Sequence, residues 1–81
     1  MHVVTVRFYA AAAEAAGTHE TTIEVPDDAT VDDALQLVDS RYPKVAAMRS
    51  QCSVFVDDVQ ARAPQLGNAR TLDILPPFAG G

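Results

Sequence analysis

Gly80 and Gly81 close the sequence directly behind Pro76, Pro77, Phe78 and Ala79, in the stretch LDILPPFAGG. The group with chemistry to offer there is the carboxylate of Gly81. A free carboxylate is a poor electrophile, but ATP can activate it as an acyl-adenylate. A sulfur donor can then attack, leaving a thiocarboxylate whose sulfur is a soft, anionic nucleophile. The nucleotide must approach the last carbonyl closely, and a residue without Cβ permits that. Ala79, Gly80 and Gly81 are also thin enough to thread a narrow channel. On this reading the chain catalyses nothing; it is a carrier whose surface sets its specificity. The competing reading is a loose end, because glycine adds nothing to a core and chain termini tolerate change.

Other reactive residue types occur in less pointed settings. Asp27-Asp28, Asp32-Asp33 and Asp57-Asp58 are sequence neighbours at turns or a helix start, where aspartate caps and solvates rather than performing acid–base work. A docking surface for a basic partner is their second reading. His2 and His19 have no Cys or carboxylate at metal-ligand spacing, which argues against a metal site. Cys52, the lone cysteine, builds no internal disulfide and reads as a small buried apolar residue at a strand start. The net charge is −5 and the six Lys and Arg are scattered. Phosphate backbones require clustered cations, so nucleic-acid and anionic-membrane binding are disfavoured. No apolar run approaches the roughly 20 residues of a membrane helix. MHVVTVRF lacks the pattern of a secretory signal. Together these features favour the cytoplasm.

The 81 residues make one domain, and its elements must position the tail. HVVTVRFYA alternates, with Val4, Val6 and Phe8 on one face and Thr5 and Arg7 on the other, which is a strand period. The alanine-rich stretch to Gly17, the one low-complexity segment, predicts a wide, partly helical connection. TTIEV predicts a second strand with Ile23 and Val25 inward. Thr30 predicts an N-cap with Asp33 three residues on in a capping box. Val31, Ala34, Leu35 and Val38 then fall on one helix face, and Pro43 ends that helix near Tyr42. A short second helix is predicted over Pro43 to Arg49. CSVFVDDVQAR predicts a hairpin turning at Asp57-Asp58, with Val54 and Val56 facing one way. Leu66 anchors a loop before a Gly-Asn turn, and a last strand carries Leu72 and Ile74 inward. Pro76 and Pro77 stop sheet pairing, since neither has an N–H. The order β-β-α-(short α)-β-β-β predicts an α+β fold: one main helix across one face of a mixed five-stranded sheet.

The expected division is a globular domain over 1–75 and an extended tail over 76–81. Pro76-Pro77 should launch that tail away from the sheet in a polyproline-like form. Phe78 has two readings, an anchor for a partner's pocket or a side chain folded back onto the domain. With VTVRFYAAAAEAAG at the start, TVDDAL at the helix and LDILPPFAGG at the end, the sequence resembles the MoaD-like small subunits of molybdopterin synthase. These belong to the ubiquitin-like β-grasp sulfur carriers of the MoaD/ThiS superfamily, and the resemblance covers Val4 to Gly81.

The resemblance implies a sulfur carrier in molybdenum cofactor synthesis. An E1-like, MoeB-like enzyme would adenylate Gly81, using ATP that the carrier itself does not bind. A sulfurtransferase system would make the thiocarboxylate. Pro76, Pro77, Phe78, Ala79 and Gly80 would insert into a MoaE-like large subunit, in a heterotetramer. Docking would use apolar residues of the exposed sheet face, by position Tyr9, Val59 and Leu75. DDVQ stands where the family often has an Asn or Gly turn in the third-to-fourth strand hairpin, and GNAR where it has an acidic turn before the last strand. Rival readings are sulfur carriage for thiamine thiazole, cysteine or transfer-RNA thiolation, a ubiquitin-like modifier joined to lysines, and a non-covalent module with an inert tail.

Overall fold

The computed structural model describes residues 1–61 and 64–77. Strand β1 (His2–Phe8) is followed by helix α1 (Ala11–Ala16), strand β2 (Glu20–Val25), helix α2 (Val31–Arg41) and helix α3 (Pro43–Ala46). A 3-10 turn (Arg49–Gln51) leads to β3 (Ser53–Val56), β4 (Val59–Gln60) and β5 (Thr71–Leu75). The sheet order is β2-β1-β5-β3-β4. β1 and β5 run parallel at its centre, and every other pairing is antiparallel.

The period-2 pattern of the strands decides which face is covered. Val4, Val6 and Phe8 of β1, Ile23 and Val25 of β2, and Leu72 and Ile74 of β5 are buried on one side. Ala34, Leu35 and Val38 of α2 and Val45 of α3 close over them. Phe8 meets Tyr42 edge to face at 5.2 Å between ring centroids. Among the described residues, no helix packs over the opposite side of the sheet.

Helix α2 begins as its sequence dictates. Thr30 Oγ1 accepts from the Asp33 N–H at 3.0 Å, and the Thr30 N–H donates to Asp33 Oδ2 at 3.0 Å. Both orphan donors are satisfied reciprocally, and Asp32 and Asp33 face the positive end of the helix dipole. The connection between β4 and β5 reaches this end, with the Val31 N–H donating to the Pro64 carbonyl at 2.8 Å.

The alanine stretch is a true helix of six residues, Ala11–Ala16. That length is unstable alone. It is held by burial of Ala12 and Ala13 and by Gly17. This glycine takes a left-handed φ of 75° and donates its N–H to Ala13, the usual glycine stop. The predicted helix over Pro43 to Arg49 is divided into α3 and the separate 3-10 turn. Arg49 Nε reaches back to both carboxylate oxygens of Asp39 on α2, at 2.8 and 2.9 Å. That ion pair fixes the turn against α2.

Thr30→Ala removes one half of the capping box and should cost about 1 kcal/mol of stability, read as a lower urea midpoint at unchanged slope. An unchanged midpoint would show that neighbouring loop contacts alone hold the helix start.

Candidate functional site: an apolar groove where the last strand leaves the sheet

The open face carries an ion pair at its centre. Arg7 and Asp73 are register partners on the parallel strands β1 and β5, so both project from the same side. Arg7 Nε donates to Asp73 Oδ1 at 2.5 Å and Nη2 donates to Oδ2 at 2.7 Å. This two-pronged geometry is the strong form of a guanidinium–carboxylate contact. Nη2 also donates to Asp58 Oδ1 at 2.8 Å, in the turn between β3 and β4. One side chain thus joins β1, β5 and the hairpin turn. Hydrogen bonding, first by Asp73 and then by Asp58, raises the Arg7 pKa. Asp73 itself is only 6% exposed, although it is charged and lies on the uncovered side.

The turn is built around two aspartates with positive φ, Asp57 at 50° and Asp58 at 68°. A two-residue hairpin needs this left-handed pair to match strand twist, and Asp adopts it more readily than most residues. Asp57 Oδ1 accepts from the backbone N–H groups of Arg70 and Thr71 at 2.9 and 3.1 Å. These bonds hold the Asp57 carboxyl below the usual carboxylate range, Arg70 contributing most.

Beside the ion pair lies a groove of about 630 Å³ lined by Tyr9, Ala10, Ala11, Ser53, Phe55, Leu75, Pro76 and Pro77. Its floor follows from strand register. Leu75 is paired with Ser53 of β3, and the Tyr9 N–H donates to the Ile74 carbonyl at 3.3 Å, carrying the β1–β5 ladder one step further. Tyr9 and Leu75 therefore come level with each other and line the same groove. Phe55 joins them because it alternates with the core-facing Val54 and Val56. That alternation was legible in SVFV, and the sequence reading passed over it. Ala10 forms one lip and has φ 51° and ψ −126°, a backbone conformation rare outside glycine and worth about 1–3 kcal/mol of strain.

Val59 does not belong to this surface. It is 68% exposed, but its partner across the two-residue turn is Val56, which packs against the core. Directly opposed residues share a face, so Val59 sits on the other side of the sheet from Phe55 and Leu75. Pro76 and Pro77 follow β5 outside the ladder and line the groove. Phe78, Ala79, Gly80 and Gly81 lie outside the described residues.

Cys52 is half-buried, its thiol donates to the Met48 carbonyl at 3.4 Å, and burial pushes its pKa up. That is the opposite of an activated thiolate. Among the described residues no group of three or more His, Cys, Asp or Glu is placed to hold a metal ion. No described helix is long and apolar enough to cross a membrane.

A mixed five-stranded sheet closing on one main helix, with the last strand at its centre and parallel to the first, is the ubiquitin-like β-grasp architecture. The sequence matches the ThiS family over residues 6–81, and the chain belongs to that family. Small archaeal modifier protein 1 (SAMP1) of Haloferax volcanii is 25% identical, superposes with a TM-score of 0.89, and is matched over 99% of this chain and 100% of that one. SAMP1 of Methanosarcina acetivorans is 22% identical with a TM-score of 0.81, over 100% and 98% of the two chains. The same fold occurs in a complex of subunits 1 and 2 of the molybdopterin-converting factor from Helicobacter pylori, at 18% identity and a TM-score of 0.65, over 99% and 100%. No curated protein matches the sequence significantly.

Two solution measurements test the ion pair and the turn. Arg7→Met leaves the buried Asp73 without its cation, so it should lower stability more than the double change Arg7→Met/Asp73→Leu, which removes both charges. The reverse order would show that Asp73 does not depend on Arg7. Because the Asp57 carboxyl is lowered on folding, its stabilisation is complete above the ordinary carboxylate pKa of about 3.9 and is lost as pH falls through the lowered value. Asp57→Asn keeps an acceptor oxygen and tolerates positive φ. Its unfolding midpoint should therefore fall less than wild type between about pH 5 and pH 3; parallel pH profiles would contradict this role.

Proposed function

We propose that this protein is a sulfur carrier whose reactive group is the carboxyl terminus at Gly81. It would act as the small subunit of a molybdopterin synthase. The observation that carries this reading is membership of the ThiS family over a match that runs through Gly81 itself.

The chemistry balances with external reagents. The Gly81 carboxylate attacks the α-phosphorus of ATP on an E1-like adenylyltransferase, and pyrophosphate leaves. A persulfide sulfur of a sulfurtransferase attacks the acyl carbon, and AMP leaves. A thiol reductant splits the resulting acyl disulfide and leaves the thiocarboxylate on Gly81. A MoaE-like large subunit then uses that sulfur to build the dithiolene of molybdopterin. The absence of side chains at Gly80 and Gly81 lets enzyme and nucleotide close around the acyl carbon. The groove of Tyr9, Phe55 and Leu75 supplies an apolar docking surface beside the residues from which the tail departs, and an acidic body favours encounter with basic partners.

A second reading is favoured by the likeness to SAMP1 at 25% identity over essentially the whole of both chains. There the same activated Gly81 is transferred to lysine amines of other proteins. Intact-mass measurement distinguishes the two. With ATP, an E1-like enzyme and a persulfide donor, a Cys52→Ser chain should exchange one oxygen for sulfur at Gly81 and gain a single alkylatable thiol. Sulfur-free isopeptide adducts on target lysines would favour the modifier. No change, under conditions that activate a control carrier, would contradict both.

Docking is tested separately. Tyr9→Asp places a charge in the groove and should raise the KM for the carrier in the adenylation assay about tenfold or more, the loss of one good anchor, without lowering the melting temperature. An unchanged KM would remove the groove from the account.

A further inference from the structure

Activation puts an electrophilic acyl group on this chain, and the body offers few amines to meet it. Five of the six basic side chains are arginines: Arg7, Arg41, Arg49, Arg62 and Arg70. A guanidinium stays protonated and does not act as an acyl acceptor near neutral pH. The sixth is Lys44, the one lysine in the sequence. The other amine is that of Met1, which lies 3.2 Å from the Asp27 carboxylate.

Lys44 is exposed, and its element is firmly held. Pro43 opens α3, the neighbouring Val45 is fully buried, and α3 packs against both α2 and α1. Among the described residues, none of the ion pairs involves Lys44. Its position relative to the groove matters most. α3 belongs to the helical layer that covers the core face, whereas Tyr9, Phe55 and Leu75 lie on the opposite face of the sheet. A copy docked through its groove and tail on an activating enzyme still presents Lys44 to solvent.

We infer that Lys44 is a self-acceptor site: its ε-amine takes the Gly81 acyl group of a second copy, giving isopeptide-linked, head-to-tail chains. The inference rests on the activation of Gly81 proposed above. The neutral amine attacks the acyl carbon of the adenylate, the C–N bond forms, AMP leaves, and the nitrogen loses one proton to solvent. No electrons are transferred. Donor and acceptor surfaces differ, so the contact is heterologous and chains can extend without closing. With one lysine per copy they are unbranched. Sulfur donor and lysine compete for the same acyl-adenylate, so chain growth is greatest when sulfur is withheld.

The test uses the full chain with ATP and an E1-like adenylyltransferase, without a sulfur source, and follows pyrophosphate release and multimers on a denaturing gel. Wild type should give a ladder. Tryptic mapping should find the remnant Thr71–Gly81, produced by cleavage after Arg70, on Lys44. Lys44→Arg keeps the charge and the exposed position; it should abolish the ladder while pyrophosphate release is unchanged. A ladder that persists in Lys44→Arg, or one mapped to Met1, would overturn the assignment. So would a wild-type chain that releases pyrophosphate and acylates free lysine yet forms no multimers. If pyrophosphate release is absent altogether, the activation of Gly81 fails and the inference fails with it. An intramolecular Gly81–Lys44 ring, seen as a monomer lighter by one water, would also contradict head-to-tail growth.

Discussion

The contact between Arg7 and Asp73 governs the arrangement of the open face. It lies across the parallel pair of β1 and β5, the first and last strands in sequence and the central pair in space. Asp73 interrupts the apolar run of β5, between the fully buried Leu72 and Ile74. A slip of one residue would turn that carboxylate into the core and expose two large apolar side chains, because strand side chains alternate. Buried ion pairs add little net stability, since desolvation offsets much of the attraction. The value of this one lies in excluding the wrong register. Its second arm, to Asp58, extends the same control to the β3–β4 turn.

The groove is a consequence of that register. With Arg7 opposite Asp73, Tyr9 comes level with Leu75, and β3 brings Ser53 and Phe55 to the other side. Pro76 and Pro77 then leave the ladder at the groove edge, because they have no N–H to continue it. Structure and proposed chemistry divide the labour accordingly. The sheet sets where the last strand ends, the open face offers an apolar surface beside that point, and the chemistry proposed above uses the atoms of a terminus rather than a cavity.

Much of the fold was legible because its signals are local. Thr30 and Asp33 marked the start of α2 through spacing alone. Alternation placed Val4, Val6, Phe8, Leu72 and Ile74 inward, and Asp57-Asp58 marked the turn. What was illegible depends on contacts distant in sequence. Nothing within HVVTVRF or TLDILP says that these strands are parallel neighbours, so the Arg7–Asp73 pair could not be read from either. Nothing in an alanine run marks Ala10 as the residue with positive φ; the tight passage from β1 into α1 imposes it. Val59 is placed with Tyr9 and Leu75 by the family pattern alone, and the register of the two-residue turn puts it on the opposite face of the sheet from them. Phe55 is legible as the outward residue between Val54 and Val56, but nothing in SVFV places it beside Tyr9 and Leu75, which are distant in sequence.

The central claim is that a folded body serves a reactive terminus. Deleting Gly81 alone tests it most directly, with thermal unfolding and ATP-dependent pyrophosphate release measured on the same preparation. The account predicts an unchanged melting temperature and complete loss of release. A truncated chain that unfolds, or one that is still activated at the wild-type rate, would contradict it.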